Sequence, residues 1–330
     1  MRSVLLPTVQ TSPVESAYTD RLRVFSGSAN PDLALQVTRY LGIPLGSIIR
    51  KRFADGEIYV QIQESVRGCD VYLIQPTAHP VNDHLMELLI MIDACKRASA
   101  RQITAVLPYY GYARADRKTS GRESITAKLT ANLITKAGVN RVLAMDLHSQ
   151  QIQAYFDIPV DHIYGSPVLI QYLLEKNIES PVVVSPDVGG VARARYLAKK
   201  LNDAPWAIVD KNRQGHNEAE VMSVVGDVYG KTAILVDDII DTAGTIHAAG
   251  RALLANGAKA IYACATHAVF SGQAMQRLSG GVFEEVIITN TIPVPEAKQF
   301  GQLQTLSVAN LLGEAIWRIH EDSSVSSMFR

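Results

Sequence analysis

Three carboxylates and two threonine hydroxyls lie close together between positions 237 and 245. The segment follows an apolar run and reads Asp237, Asp238, Ile239, Ile240, Asp241, Thr242, Ala243, Gly244, Thr245. A small turn that opens a helix offers backbone N–H groups, hydroxyls and the positive helix end to a phosphate. Carboxylates just upstream can hold sugar hydroxyls or the shell of a divalent cation. A capped loop with Asp241 or Thr242 as N-cap is the structural alternative, but carboxylates this close repel one another without a ligand, so we favour a binding site.

One histidine and one further aspartate each follow a predicted strand. His148 stands in Asp146-Leu147-His148, and Asp187 precedes Gly189-Gly190. Ligand sites of α/β proteins gather beyond strand ends, and adjacent glycines let the backbone approach a diphosphate. Without further information, His148 is more simply a hydrogen-bonded core or surface residue. Asp187 has a stronger independent case because of those glycines, and its structural alternative is a helix cap.

Two other segments carry side chains suited to phosphate or base contacts. Residues 211–218 are polar and lack periodicity, which predicts a loop carrying Lys211 and Arg213. Such a loop can close over a transferring group and neutralise charge, although a solvated basic loop explains it equally well. Residues 53–57 alternate Phe, Asp and Glu with Ala54 and Gly56, which predicts an exposed hairpin edge.

Short apolar runs alternate with amphipathic stretches, and these elements must position the residues above. Runs without polar alternation are typical of parallel strands buried on both faces, and they occur at 71–74, 103–107, 142–145, 182–184, 233–236 and 286–288. Helices are predicted between them at 84–98, 125–137, 190–201 and 245–256. This alternation predicts an α/β fold with right-handed crossovers.

The length of 330 residues predicts about two domains. We expect a loose extension at 1–21, a first domain at 22–165 and a second at 166–330, with 321–327 mobile or surface-bound. The pattern G-x-A-R-A occurs at 111–115 and again at 190–194, each time after a strand ending in proline. This weak repeat favours two related halves.

Composition excludes several classes of protein. The 32 basic and 32 acidic residues cancel, which argues against a general nucleic-acid binder. Three scattered cysteines exclude a disulfide framework and a thiolate zinc site, and they fit a reducing compartment. No apolar run approaches the length of a membrane span or a signal-peptide core. The expectation is therefore a cytoplasmic protein without nucleic-acid or membrane partners.

Several long motifs together resemble the class I ribose-phosphate pyrophosphokinases, the phosphoribosyl-diphosphate synthetases. The resemblance extends from Leu22 to Phe329 and is carried by segments 52–57, 82–88, 109–114, 145–153, 185–190, 209–211 and 237–245. The last segment by itself resembles the phosphoribosyl-diphosphate signature of type I phosphoribosyltransferase folds. The family resemblance implies two similar domains of that fold, each a mostly parallel sheet flanked by helices.

The family resemblance also implies a reaction and a role for each segment. The reaction converts ATP and ribose 5-phosphate into phosphoribosyl diphosphate and AMP, with Mg²⁺ as cofactor, in a homo-oligomer that is commonly a hexamer. The implied catalytic residues are Lys211 and Arg213, and the implied metal-binding residues are His148 and Asp187. The implied ATP contacts are Phe53, Asp55, Gly56, Glu57, Arg114 and Ala115, the first four reaching adenine across a subunit boundary. Ribose 5-phosphate is assigned to Arg213, Asp237, Asp238, Asp241, Thr242, Ala243, Gly244 and Thr245.

Two departures and two alternatives accompany this hypothesis. Ala115 stands where many relatives have glutamine, so a nucleotide contact there must use backbone. Ala243 stands where glycine is usual, and alanine costs about 1 kcal/mol if that position requires a positive φ. A non-catalytic regulatory homologue is one alternative. A phosphoribosyltransferase that consumes the product is the other.

Overall fold

The predicted apolar runs at 71–74, 103–107 and 142–145 lie in parallel strands of a first sheet. The computed structural model describes residues 21–212 and 221–329. The first sheet has the order β1-β4-β5-β6-β7, with all four pairings parallel. Its strands are β1 (Leu22–Ser26), β4 (Asp70–Ile74), β5 (Gln102–Leu107), β6 (Arg141–Met145) and β7 (Val160–Ile163). Its helices are α1 (Pro31–Leu41), α2 (Val81–Arg97) and α3 (Thr126–Ala137), and β2 (Ile48–Arg52) pairs with β3 (Ile58–Ile62) in a separate hairpin.

A second sheet follows after helix α4 (Ser166–Lys176). Its order is β10-β9-β8-β11-β12-β13-β14, and β10 pairs antiparallel at one edge. The strands are β8 (Pro181–Ser185), β9 (Trp206–Asn212), β10 (Val221–Val225), β11 (Thr232–Ile240), β12 (Ala260–Ala268), β13 (Glu285–Thr289) and β14 (Leu303–Leu306). The helices are α5 (Val191–Lys200), α6 (Gly244–Ala255), α7 (Ala274–Leu278) and α8 (Ala309–His320). Buried apolar side chains fill both faces of this sheet, as parallel sheets require.

The two sheets repeat one topology. In each half, the first strand is followed by a helix and an antiparallel hairpin, and the next strand then pairs parallel to the first: β1 with β4, and β8 with β11. The two G-x-A-R-A segments do not mark this repeat. One follows β5, whose counterpart is β12, whereas the other follows β8, whose counterpart is β1. The prediction of two related halves is confirmed, although this short sequence match does not align with the structural repeat.

Helix α8 crosses from the second sheet to the first. Its buried Leu312 and Ile316 share one apolar cluster with Leu33 and Val37 of α1. The Tyr40 hydroxyl donates to Glu314 Oε2 at 2.8 Å across the same contact. The chain beyond α8 continues this packing, since Val325 is buried in the cluster. Residues 309–325 of the predicted second domain therefore pack against the first sheet.

Candidate active site

The carboxyl ends of the parallel strands bring the predicted site residues from both halves together. His148 follows β6, Asp187 follows β8, and Asp237 and Asp238 belong to β11. The sequence predicted a strand ending at Val236, but β11 continues through Ile240. The two aspartates therefore lie within the strand and not in the turn after it.

Asp238 is held on two sides, by His148 and by Arg193. Its Oδ2 accepts a hydrogen bond from His148 Nδ1 at 2.8 Å, and its Oδ1 lies 3.1 Å from Arg193 Nη2. The side chain is only 6% exposed. Since His148 belongs to the first half and Arg193 to α5 of the second, Asp238 joins the two halves of the site.

Asp237 shares the same arginine. Its Oδ1 accepts from Arg193 Nη1 at 3.0 Å and from the backbone N–H of Asp238 at 2.9 Å. Burial and the neighbouring charge of Asp238 raise the pKa of Asp237 to about 8. Burial also acts to raise the pKa of Asp238, but the hydrogen bond from His148 and the charge of Arg193 outweigh it and hold that pKa below its usual range. The pKa values of the two neighbouring carboxyl groups are therefore shifted in opposite directions.

His148 responds to its partner in the same way. The hydrogen bond to Asp238 raises the pKa of His148, while burial opposes the shift. Because Nδ1 is directed at the carboxylate, Nε2 is the ring nitrogen left for a ligand. A histidine that binds a metal generally has this arrangement, with its other nitrogen donating to a carboxylate.

The turn after β11 has the form of an anion site. Ala243 has φ +58° and ψ +12°, so the left-handed conformation that the sequence raised as a condition is present. It occupies the N-cap position of α6, and no capping side chain serves the helix. Neither of the predicted caps, Asp241 or Thr242, occupies the N-cap position. Gly244 and Thr245 begin the helix, so its first N–H groups face the turn.

Asp241 connects this turn to the first half. It forms an ion pair with Arg114 and accepts from the Ser271 hydroxyl. Burial acts to raise the pKa of Asp241, but these two hydrogen bonds outweigh it and lower the pKa. The Thr242 carbonyl accepts from Arg277 Nη1 at 2.7 Å, which fixes the backbone of the turn.

Two cavities flank these residues. One of about 630 Å³ is lined by His148, Gly189, Arg193 and Asp237, with the Tyr164 and Tyr196 rings beside them. The other has a volume of about 710 Å³. It is lined by Arg114 and Ala115, by the start of α2 and by the loop after β12. Each is large enough for a small phosphorylated ligand.

The predicted adenine segment lies apart from both cavities. Residues 53–57 form the tip of the β2–β3 hairpin, which confirms the predicted edge. Phe53 is 52% exposed and packs edge-on against Tyr59, with ring centroids 6.1 Å apart. Asp55 accepts from the Glu57 N–H at 3.1 Å. Neither carboxylate nor the ring lines either cavity of this chain.

Asp187 and the predicted basic loop stand differently from expectation. Asp187 is exposed, and its Oδ1 accepts from the Gly190 N–H at 3.0 Å. The N-cap of α5 is Gly190 and not Asp187, and no side chain caps the helix. Lys211 is not in a loop, because its backbone pairs with Met222 at the end of β9. Arg213 and residues 214–218 of the predicted loop lie outside the described residues.

Sequence reasoning missed three residues that organise the site. Arg193 occurred only within the repeated G-x-A-R-A pattern, which was interpreted as a sign of duplication. Asp146 accepts from the Thr266 hydroxyl and from the Gly165 N–H, the latter at 2.9 Å. His267 Nε2 lies 3.1 Å from the Asp146 carbonyl. These contacts join the ends of β6 and β12, and no sequence spacing indicates them.

No membrane-spanning helix occurs between residues 21 and 212 or between 221 and 329, since none there is long and apolar enough. Over the same residues, no group of three or more His, Cys, Asp or Glu side chains is arranged to hold a metal ion. His148 and Asp187 can therefore supply only part of a coordination shell.

Comparison with known proteins identifies the family. Residues 22–138 match the N-terminal domain of ribose phosphate pyrophosphokinase, and residues 180–330 match the phosphoribosyl synthetase-associated domain. The ribose-phosphate pyrophosphokinase of Gloeobacter violaceus is 73% identical over 327 residues, which are 99% of this chain and 98% of that protein. The Synechococcus elongatus protein of the same name is 73% identical over 331 residues and 100% of both chains.

A solved structure extends the comparison to the fold. Phosphoribosylpyrophosphate synthetase from Mycobacterium smegmatis is 47% identical, covering 92% of this chain and 100% of that chain with a TM-score of 0.88. The predicted α/β architecture is confirmed, and the catalytic hypothesis is favoured over the regulatory homologue. From Leu22 onward, this chain belongs to the ribose-phosphate pyrophosphokinase family.

Proposed function

We propose that the chain is an active ribose-phosphate diphosphokinase. It transfers the β,γ-diphosphoryl group of ATP to the anomeric hydroxyl of ribose 5-phosphate and yields 5-phosphoribosyl 1-diphosphate and AMP. The anomeric oxygen attacks the β-phosphorus, the bond from that phosphorus to the α-phosphate oxygen breaks, and the hydroxyl proton is released. The observation that carries this proposal is the Asp237–Arg193–Asp238–His148 cluster beside a left-handed turn and an uncapped helix end.

The turn after β11 supports the assignment of the sugar phosphate. The phosphate of ribose 5-phosphate would accept hydrogen bonds from the backbone N–H groups of residues 242–245. The positive end of α6 at the same place also favours an anion. The Asp237 carboxyl group lines the 630 Å³ cavity and is placed to accept from sugar hydroxyls, and family resemblance gives Asp241 the same role. The ionised state of Asp241, which its lowered pKa indicates, suits that role.

Charge neutralisation supports the assignment of the nucleotide and catalytic residues. Diphosphoryl transfer spreads negative charge over phosphate oxygens, so positioning and cations matter more than a protein nucleophile. We assign Arg114 and the Ala115 backbone to ATP beside the larger cavity, and Lys211 and Arg213 to the transferring group. Lys211 is the next-to-last residue of β9, which pairs with β8 just before Asp187.

Mg²⁺ fits this donor set as a partner of the ATP phosphates. His148 presents Nε2 because Nδ1 is bound to Asp238, and Asp187 is an exposed carboxylate. Magnesium keeps several waters and is generally bound by one or two protein groups plus substrate phosphates. When bound, it would polarise the phosphate oxygens and neutralise charge on them.

We also propose a homo-oligomer, a hexamer by family resemblance. The hairpin residues Phe53, Asp55, Gly56 and Glu57 line neither cavity of their own chain, as expected if they serve a neighbouring subunit. On α3, Leu129 and Leu133 follow Ile125 at helical spacing and are 52% and 42% exposed.

The three cysteines are free and buried, in keeping with a reducing cytoplasm.

The test is an assay of the purified chain with Mg²⁺, ATP and ribose 5-phosphate. We expect AMP and phosphoribosyl diphosphate in equal amounts, and loss of both in K211M but not in the control K200M on α5. Absence of both products at saturating substrates would refute the enzyme, and recovery of activity only with a second protein would favour the regulatory homologue. Release of diphosphate that depends on an added nucleobase would instead indicate a phosphoribosyltransferase.

A further inference from the structure

Arg193 occupies an unusual place in the site. It lies in the first turn of α5, yet its guanidinium reaches the two neighbouring carboxylates of β11. Nη1 binds Asp237 Oδ1 at 3.0 Å, and Nη2 binds Asp238 Oδ1 at 3.1 Å. A planar guanidinium with fixed donor directions can hold two oxygens at a set separation, which a lysine cannot do.

The two carboxylates differ in what remains for a ligand. Both oxygens of Asp238 are engaged, Oδ1 by Arg193 and Oδ2 by His148, and the side chain is nearly buried. Asp237 is more exposed, at 22%, and it lines the 630 Å³ cavity. Its Oδ1 accepts the hydrogen bonds from Arg193 and from the Asp238 N–H, so we assign Oδ2 to a ligand hydroxyl.

Resting on the proposed function, we infer that Arg193 is a positioning residue for ribose 5-phosphate. It directs Asp237 toward the sugar hydroxyls and fixes Asp238 as the link to His148. Asp238 then acts as a structural partner of two cations and not as a direct sugar ligand. This divides the roles of two carboxylates that family resemblance assigns together to the sugar.

Packing around Arg193 separates this role from a simple phosphate contact. One N–H on each terminal nitrogen of Arg193 is engaged by a carboxylate of β11, so the guanidinium is oriented toward the two aspartates. The side chain is 28% exposed. Its removal should therefore disturb sugar binding while leaving ATP binding nearly unchanged.

The first experiment compares three variants of α5 in the full chain. R193M removes the bridge, R193K keeps the charge but not the fork, and R195M is the control. Arg195 lies two residues further along α5 and stacks on Trp206, 5.5 Å from the ring centroid. We expect R193M to raise KM for ribose 5-phosphate by about tenfold or more, because Asp237 is no longer held in place and the sugar loses one hydrogen bond. KM for ATP should change by less than about threefold, R193K should be intermediate, and R195M should match wild type.

The second experiment asks whether Arg193 acts through Asp237. D237N removes the carboxyl group that Arg193 holds, so adding R193M or R193K to D237N should weaken ribose 5-phosphate binding by less than about twofold further. Binding is measured by calorimetry with ribose 5-phosphate alone, so a chain that fails to turn over still reports on this inference. An inactive wild type with an intact R193M effect would refute only the proposed function.

Three results would overturn the inference. They are a KM for ribose 5-phosphate in R193M equal to that of R195M, equal increases in both KM values, and full additivity of the R193K and D237N effects on sugar binding. Should R193M fail to fold, R193K alone and combined with D237N decides the outcome.

Discussion

Ala243 is a non-glycine residue held in the left-handed conformation, and replacing it with glycine tests the energetics of the phosphate turn. Its φ of +58° is stabilised by the surrounding structure, since the methyl group is 4% exposed in an apolar cluster that includes Ile246 and Phe270. Glycine adopts this conformation without a steric penalty. A243G therefore relieves strain and removes packing at once.

Three contributions determine the change in the free energy of unfolding. Relief of left-handed strain stabilises A243G by about 1–2 kcal/mol. Loss of one buried methyl group costs about 0.8 kcal/mol, and the freer unfolded chain costs about 0.4–1 kcal/mol. These contributions nearly cancel, so we expect A243G to remain within about 1 kcal/mol of wild type. The same chemical change at Ala249, fully buried within α6, relieves no strain and should cost roughly 2 kcal/mol.

The assay is urea unfolding at matched protein concentration, with A243G and A249G compared on one instrument. We expect the midpoint of A249G to fall clearly below that of A243G, and A243V to fall furthest because a β-branched residue tolerates a positive φ poorly. Equal losses in A243G and A249G would mean that Ala243 carries no relieved strain. In that case the account of the turn as a strained phosphate cradle would be wrong.

Three further predictions concern the site and the packing of the halves. R114M should raise KM for ATP by about tenfold yet change stability by less than about 1 kcal/mol, because the Arg114–Asp241 ion pair is partly solvated; kinetics and thermal unfolding check both. Because the pKa of Asp237 is raised to about 8 in the folded state, its ionisation destabilises the wild type as pH rises toward that value. The difference in Tm between D237N and wild type should therefore grow in favour of D237N from pH 6 to pH 9, and a constant difference would contradict this. I316A, buried between α8 and α1, should lose about 2–5 kcal/mol, whereas L35A on the exposed face of α1 should lose little, as unfolding by urea will show.

The strands of both sheets could be predicted because burial on two faces leaves a local signature. The runs at 71–74 and 142–145 contain no polar residue except a tyrosine hydroxyl, so their composition alone indicates a parallel strand. Helix α6 could be predicted for the same reason, from its apolar stripe and the glycine that follows it. Local composition therefore gives the elements and, through their alternation, the α/β class.

The extension of β11 through Asp237 and Asp238 could not be predicted, because aspartate is depleted in strands. These residues stay extended since Arg193 and His148, brought by other elements, compensate their charges. The crossing of α8 to the first sheet was missed for a similar reason. An amphipathic stripe shows that a helix packs, but not which sheet it packs against.

The adjacent aspartates show where spacing ceases to be informative. In the sequence, Asp237 and Asp238 are the same chemical group one residue apart, and any motif assigns them one role. In the fold, one lines a cavity and the other is enclosed between an arginine of α5 and a histidine of the opposite half. Their proton affinities consequently move in opposite directions. The difference arises from burial and from side chains 44 and 90 residues away in sequence, so it belongs to the tertiary structure and cannot be encoded in the motif itself.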